Sequence, residues 1–141
     1  MIRAVLDANI FVSAAIRPEG PPGKLLRRFL TDQAFELVMS PSIAAEIVAA
    51  LRYPSVRKCL RSTIDPGRWV EAIMLLADIV EDTVLPRPVS QDPDDDKFLA
   101  AAVIGRASVV VSGDRHLLSL VQHEDIRVIP PKAFLDLLDR A

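Results

Sequence analysis

The sequence predicts an α/β fold, a three-layer α/β/α sandwich built around a central parallel sheet. Three observations carry that expectation. Short runs such as Ala4-Val5-Leu6 and Val109-Val110-Val111 are apolar at every position, as in strands buried on both faces. Between such runs lie segments with apolar residues at three- and four-residue spacing, the pattern of covering helices. The two patterns alternate along the chain, which is the mark of repeated β-α units.

Each element has its own reason. A first strand over 2–6 ends at Asp7, and a short helix over 9–16 follows. The stretch Arg17-Pro-Glu-Gly-Pro-Pro-Gly23 closes that helix as a loop. Leu25, Leu26, Phe29 and Leu30 then share one face of a helix over 24–31. A second strand covers 35–39. Ser40-Pro41 opens a helix over 42–51, with proline where a helix start tolerates it. Tyr53-Pro54 breaks that helix, and a short basic helix covers 55–60. Asp65-Pro66 opens another over 66–77, which buries Val70, Ile73, Met74 and Ala77. A strand over 79–84, a helix over 94–105 stopped by Gly105 and a buried strand over 108–112 follow. The chain is expected to finish with a helix over 114–121, a strand over 126–129 and a helix over 131–140.

At 141 residues the chain is expected to form one domain spanning residues 1–141. A domain of this size buries roughly 68–70% of its unfolded surface, enough for a core without staples. Half the residues are hydrophobic and about a quarter are charged, the balance of a soluble globular protein. The single cysteine, Cys59, has no internal disulfide partner, so a cytoplasmic location is expected and Cys59 reads as a small hydrophobe. No signal peptide is read at the start, and the apolar run Ala4–Ile16 is too short to span a membrane.

The acids fall in unusual places. Asp7 is the only charge between Arg3 and Arg17, and Glu46 the only charge between Glu36 and Arg52. The knot Gln91-Asp92-Pro93-Asp94-Asp95-Asp96-Lys97 opens an apolar helix, and Asp114 follows Ser108-Val-Val-Val-Ser-Gly113 directly. A carboxylate in apolar surroundings is costly unless a positive group compensates it. A shared divalent cation would compensate all four sites at once. The formal net charge of −2 becomes +5 once Asp7, Glu46, Asp92, Asp94, Asp95, Asp96 and Asp114 are set aside. The remaining surface is therefore mildly basic, as suits a nucleic-acid partner.

In an open parallel sheet the functional crevice lies beyond the carboxyl ends of the strands, where Asp7 and Asp114 are expected. Extending the apolar stripe Phe98, Leu99, Ala102 and Val103 back by one turn lands on Asp95 and Asp96 alike. Carboxylates suit Mg²⁺ or Mn²⁺, whereas two histidines, His116 and His123, and one cysteine make a zinc site hard to assemble. Metal-held carboxylates can activate water and offset the charge that develops in phosphodiester cleavage.

The ordered segments Val5-Leu-Asp7-Ala-Asn9, Ser40-Pro-Ser-Ile-Ala-Ala-Glu46, Asp92-Pro-Asp-Asp-Asp96-Lys-Phe-Leu and Val111-Ser-Gly-Asp114 resemble the PIN-domain nucleases. The resemblance is nearest to the VapC-like toxin components of toxin–antitoxin systems, and it runs from Ile2 to about Leu138. It implies an acidic quartet of Asp7, Glu46, Asp96 and Asp114 around Mg²⁺ or Mn²⁺. Its register prefers Asp96 over Asp95, because Lys97-Phe-Leu-Ala-Ala-Ala then matches the family's apolar helix. Asn9, Asp92, Asp95 and Ser112 become supporting residues, with Ser112 standing where many members have threonine. The resemblance further implies endoribonuclease activity on RNA, a homodimer and neutralisation by a small antitoxin protein.

For substrate binding, Arg52, six residues past Glu46, and Arg115, beside Asp114, are the leading cations. Trp69 adjoins Val70, Ile73 and Met74, so packing is the better reading for it than stacking on a base. Other folds fit less well. A dinucleotide site needs a glycine-rich turn after the first strand, and Asp7-Ala-Asn-Ile-Phe11 has none. A haloacid-dehalogenase-like phosphatase needs a second acid where Asn9 stands, and a response-regulator receiver leaves Glu46 and Asp96 without a role. The alternative from another class is a catalytically silent PIN scaffold that binds RNA or a protein partner.

Overall fold

The computed structural model describes residues 1–90 and 92–140; Gln91, the first residue of the acidic knot, and Ala141 lie outside the described residues. The strands are β1 (Arg3–Leu6), β2 (Glu36–Met39), β3 (Asp78–Ile79), β4 (Val109–Val111), β5 (Gln122–His123) and β6 (Ile126–Ile129). They form one sheet in the order β3-β2-β1-β4-β6-β5. All neighbours are parallel except the β5–β6 edge pair. Ala4, Val5 and Leu6 in β1 and Val109, Val110 and Val111 in β4 are all buried, so consecutive side chains meet cover on both faces.

The helices are α1 (Ala8–Ile16), α2 (Pro21–Asp32), α3 (Pro41–Arg52), α4 (Pro54–Arg57), α5 (Pro66–Met74), α6 (Asp96–Ile104), α7 (Arg115–Leu118) and α8 (Pro131–Arg140). Packing joins α1 to α2 and α3, α2 to α8, and α3 to α5, whereas α6 lies on β1, β2 and β4. The chain steps from β1 through β2 to β3 in one direction, then returns past β1 to β4 and β6. Right-handed crossovers in these opposite directions put α1–α5 on one face and α6 and α7 on the other. The three-layer α/β/α architecture is therefore the one expected. Its core gathers Phe11, Leu25, Phe35, Ile47, Leu99 and Phe134, all essentially inaccessible to water.

Several boundaries differ from the sequence reading, each for a local reason. Helix α2 begins at Pro21 rather than Lys24, because proline needs no amide partner in a first turn. The strand expected over 79–84 is only Asp78–Ile79. After the Val80 amide reaches the Met39 carbonyl (2.8 Å), the chain leaves the sheet, and Asp82 turns to Ser42 instead. Helix α7 is a single turn, and the two-residue strand β5 was not anticipated. Helix α5 stops at Met74. Cys59 is exposed rather than buried as a small hydrophobe.

Gly105 ends α6 by close approach. A Cβ there would lie 2.4 Å from Val38 Cγ1 and 2.9 Å from the Ala101 carbonyl oxygen. Val38 is β-branched and buried in β2, so it cannot turn aside. Gly105→Ala is therefore expected to cost about 1–3 kcal/mol, the usual range for overpacking, as measured by urea unfolding. An unchanged midpoint would show that α6 can move off the sheet freely.

Candidate functional site

The sheet order reverses between β1 and β4, since their following strands lie on opposite sides. Such a switch point opens a crevice beyond the strand ends. Asp7 follows β1 directly and is the N-cap of α1, with its Oδ1 accepting from the Ile10 amide at 3.2 Å. Asp114 lies three residues past β4 and is the N-cap of α7, accepting from the His116 amide at 2.8 Å. Both carboxylates are thus fixed by the chain turning from strand into helix.

Ser112 links them. Its hydroxyl is fully buried, donates to Asp7 Oδ2 and accepts from the Asp114 amide at 2.9 Å. Burial pushes the Asp7 carboxyl pKa up, despite hydrogen bonds from Ser112 and from the Ile10 and Asn9 amides; the charge of Asp114 adds to the rise. The Asn9 side chain itself is exposed.

The acidic knot divides its residues between two tasks. Residues Pro93–Asp95 make a 3-10 turn into α6, capped by Asp92, whose carboxylate accepts from the Asp94 amide at 3.0 Å. Asp96 has both oxygens engaged with the preceding loop, accepting from the Val89 amide (3.0 Å), the Ser90 amide (2.8 Å) and the Ser90 hydroxyl (2.7 Å). Burial opposes ionisation of Asp96, but the bonds from Ser90 and Val89 outweigh it and hold its pKa below the ordinary carboxylate range. Asp95 is the opposite case. Its Oδ2 is buried with no hydrogen-bond partner, the sole such side-chain atom among the described residues. Its pKa is pushed up to about 6, first by burial and then by the charges of Asp114, Asp92, Asp7 and Glu46. Helical spacing left Asp95 and Asp96 both open, with the family register preferring Asp96; in the structure Asp95 shares the field of Asp7 and Asp114, and Asp96 clasps the loop.

Glu46 projects from α3 and forms an ion pair with Lys97 in the first turn of α6. Sequence reasoning left Glu46 without a partner, because 51 positions separate the two. Ser90 and Lys97 were also missed as members of the site's surroundings. The local cue for Ser90 was slight: a serine six residues before an acid in a proline-rich loop.

Of the expected substrate contacts, Arg115 is exposed beside Asp114. Arg52 is not brought to the acids. Six helical positions carry it about 9 Å along α3 from Glu46 and onto another face, where its guanidinium lies close to Gly67 in the first turn of α5. His116 is exposed, and Trp69 packs half-buried against the core.

Among the described residues, no three His, Cys, Asp or Glu side chains stand in a chelating arrangement. The chemistry of the donors nonetheless fits a hard divalent cation: carboxylates only, one of them, Asp95, with an orphaned buried oxygen in the field of the others.

A parallel α/β sheet with clustered carboxylates at its switch point defines an acidic-site α/β domain. A family model described as PIN domain matches residues 3–116, and the chain belongs to the PIN-domain family, whose fold is generally a nuclease fold using divalent metal ions. The chain is 30% identical to the uncharacterized protein MJ1680 of Methanocaldococcus jannaschii, over 96% of this chain and 90% of that one. It also matches the crystal structure of PAE2754 from Pyrobaculum aerophilum, with a TM-score of 0.61 and 16% identity over 99% of this chain and 91% of the other. That likeness concerns the fold alone.

The raised pKa of Asp95 has a stability consequence. The folded state holds this proton more tightly than the unfolded chain, so metal-free stability falls as pH rises from about 4 through about 6. Asp95→Asn removes the buried charge and is expected to stabilise the metal-free protein at pH 7.5. Two pH units would be worth about 2.7 kcal/mol; partial exposure screens that to on the order of 1 kcal/mol. Urea unfolding in a chelator should show the advantage vanishing below about pH 4. A difference that does not change with pH would contradict it.

Proposed function

We propose that this chain is a metal-dependent endoribonuclease in which Asp7, Glu46, Asp95 and Asp114 hold Mg²⁺ or Mn²⁺. The observation that carries the reading is the orphaned Asp95 oxygen, buried within the field of three other acids and Asp92. A bound divalent cation polarises a phosphodiester and lowers the pKa of water. The chain's own residues supply the rest. Asp7 and Asp114 are preset by their helix caps, Ser112 keeps both in register, and Asp92 stiffens the turn that presents Asp95. Arg115 is exposed and next to Asp114 in the chain, a place from which it can meet an arriving phosphate. We further propose, from the resemblance to VapC-like toxins, a cytoplasmic homodimeric toxin silenced by a small antitoxin. No described helix is long and apolar enough to cross a membrane.

The direct test is incubation of the purified protein with labelled RNA, with and without Mg²⁺ or Mn²⁺, using Asp7→Asn as the contaminant control. Cleavage only by wild type with metal is the expected result; metal-independent or Asp7-independent cleavage would sink the proposal. Arg115→Ala should weaken RNA binding and flatten the slope of log affinity against log salt by about 0.7, the value for one phosphate contact on a single strand. An unchanged slope would send the RNA path elsewhere. Arg52→Ala should leave the slope unaltered.

A second reading, the silent scaffold, is favoured by the lack of a preformed chelate among the described residues. It predicts RNA or protein binding that metal does not influence. Growth arrest on expression, relieved by the product of an adjacent small reading frame, is the expected outcome of the toxin reading.

A further inference from the structure

Lys97 is the one ammonium paired with an acid of the candidate site among the described ion pairs, and it lies two residues past the orphaned Asp95. Its Nζ meets Glu46 Oε1, and the two side chains are only 26% and 36% exposed. The same ammonium lies 5.9 Å over the Phe98 ring centroid, and its charge also acts on the Asp82 carboxylate. Asp82 is itself anchored on α3 by the Ser42 amide (3.1 Å) and hydroxyl (2.6 Å). Lys97 therefore joins α6, α3 and the 80–90 loop at the rim of the site. Beside it opens a cavity of about 320 Å³ walled by Thr83, Val84, Leu85, Pro88 and Pro93.

One carboxylate cannot serve an ammonium and a dication fully at once, and the ammonium repels the dication. We infer that Lys97 is the resident counter-ion of Glu46, displaced when a divalent cation loads the site and then free to contact the substrate phosphate. This rests on the metal reading proposed above and adds a residue that the acidic quartet does not include. The pair keeps the acids from carrying the full uncompensated charge in the metal-free chain. The adjoining cavity gives the freed side chain room to turn. The exchange makes or breaks no covalent bond: a dication replaces an ammonium at the same carboxylate.

The test is Mn²⁺ affinity, measured by calorimetry on the full chain without RNA. Wild type, Lys97→Met, Glu46→Gln and the double variant form a cycle. A partly exposed pair of this kind predicts that Lys97→Met tightens Mn²⁺ binding about two- to fivefold. In the Glu46→Gln background the same change should do nothing, because the counter-ion has lost its partner. Lys97→Arg, which keeps the charge, should bind Mn²⁺ as wild type does. With Ca²⁺ as a non-cleaving probe ion, Lys97→Met should weaken binding of a short RNA. Unchanged Mn²⁺ affinity in Lys97→Met overturns the inference. So does equal tightening with and without Glu46, the result of a general field. In either case the metal reading stands if wild type binds Mn²⁺ and Asp95→Asn does not. If wild type binds no Mn²⁺, both fall.

Discussion

Asp95→Asn should lower metal-dependent RNA cleavage by about 10²–10³-fold, the usual scale for removing one electrostatic contact to a reacting centre. Asp96→Asn should keep most of the cleavage and lose stability instead. The two acids are neighbours in sequence with opposite surroundings. Asp96 accepts three hydrogen bonds from Val89 and Ser90, so it has little capacity left for a cation. An asparagine there offers one oxygen to three donors and turns an NH₂ group toward the rest. Leaving one or two of them unmet costs about 1–3 kcal/mol. Asp95 has the reverse balance, with an oxygen that accepts nothing and a proton affinity raised by four other acids. Single-turnover cleavage across a Mn²⁺ titration, together with urea unfolding of each variant, separates the two roles. An inactive but fully stable Asp96→Asn beside an active Asp95→Asn would restore the register that the family resemblance favoured.

The ease of reading fold and site from sequence follows the range of the interactions involved. The parallel sheet was legible because β1 and β4 carry unbroken apolar runs, and only a doubly covered strand needs them. Asp7 and Asp114 were legible for a related reason. Each sits where a strand-like run stops and a helical one begins, so its place at the strand end followed from chain order alone. The choice between Asp95 and Asp96 was not legible. The first turn is a 3-10 turn rather than an α-helical one. Helical spacing carried back from Phe98 and Leu99 reaches Asp95 and Asp96 alike, and only their hydrogen-bond surroundings tell the two apart. The Asp96 clasp also depends on Ser90, whose loop carries no periodicity. The pairing of Glu46 with Lys97 depends on α3 meeting α6 across the crevice, a tertiary fact without a local trace. Arg52 shows the same limit from the other side: proximity in sequence to Glu46 did not bring it to the acids.

Asp7→Asn is expected to abolish detectable cleavage while leaving the metal-free protein as stable as wild type or more so. The substitution keeps the oxygen that caps α1 through the Ile10 amide and turns its NH₂ toward Ser112, whose hydroxyl then accepts a hydrogen bond instead of giving one; against that loss it removes a charge that burial already disfavours. Ser112 supplies the contrasting case. Its hydroxyl gives its proton to Asp7 and takes one from the Asp114 amide, so one atom sets the spacing of two acids on different elements. Ser112→Ala leaves a buried carboxylate oxygen without its donor and an amide without its acceptor, at a cost of about 1–3 kcal/mol. Groups that orient metal-holding acids in this way usually govern about 10–100-fold in affinity or activity. Ser112→Ala should therefore fold, bind Mn²⁺ about 10–100-fold more weakly and cleave more slowly in proportion, with saturating Mn²⁺ recovering much of the loss. Ser112→Thr keeps the hydroxyl and should restore the Mn²⁺ affinity, provided the added methyl is accommodated at this fully buried position. Mn²⁺ titrations of the three variants, read by melting temperature and by single-turnover cleavage, check both halves together. If Ser112→Ala matched wild type in Mn²⁺ affinity, Asp7 and Asp114 would be acting separately, and the hydroxyl between them would serve the fold alone.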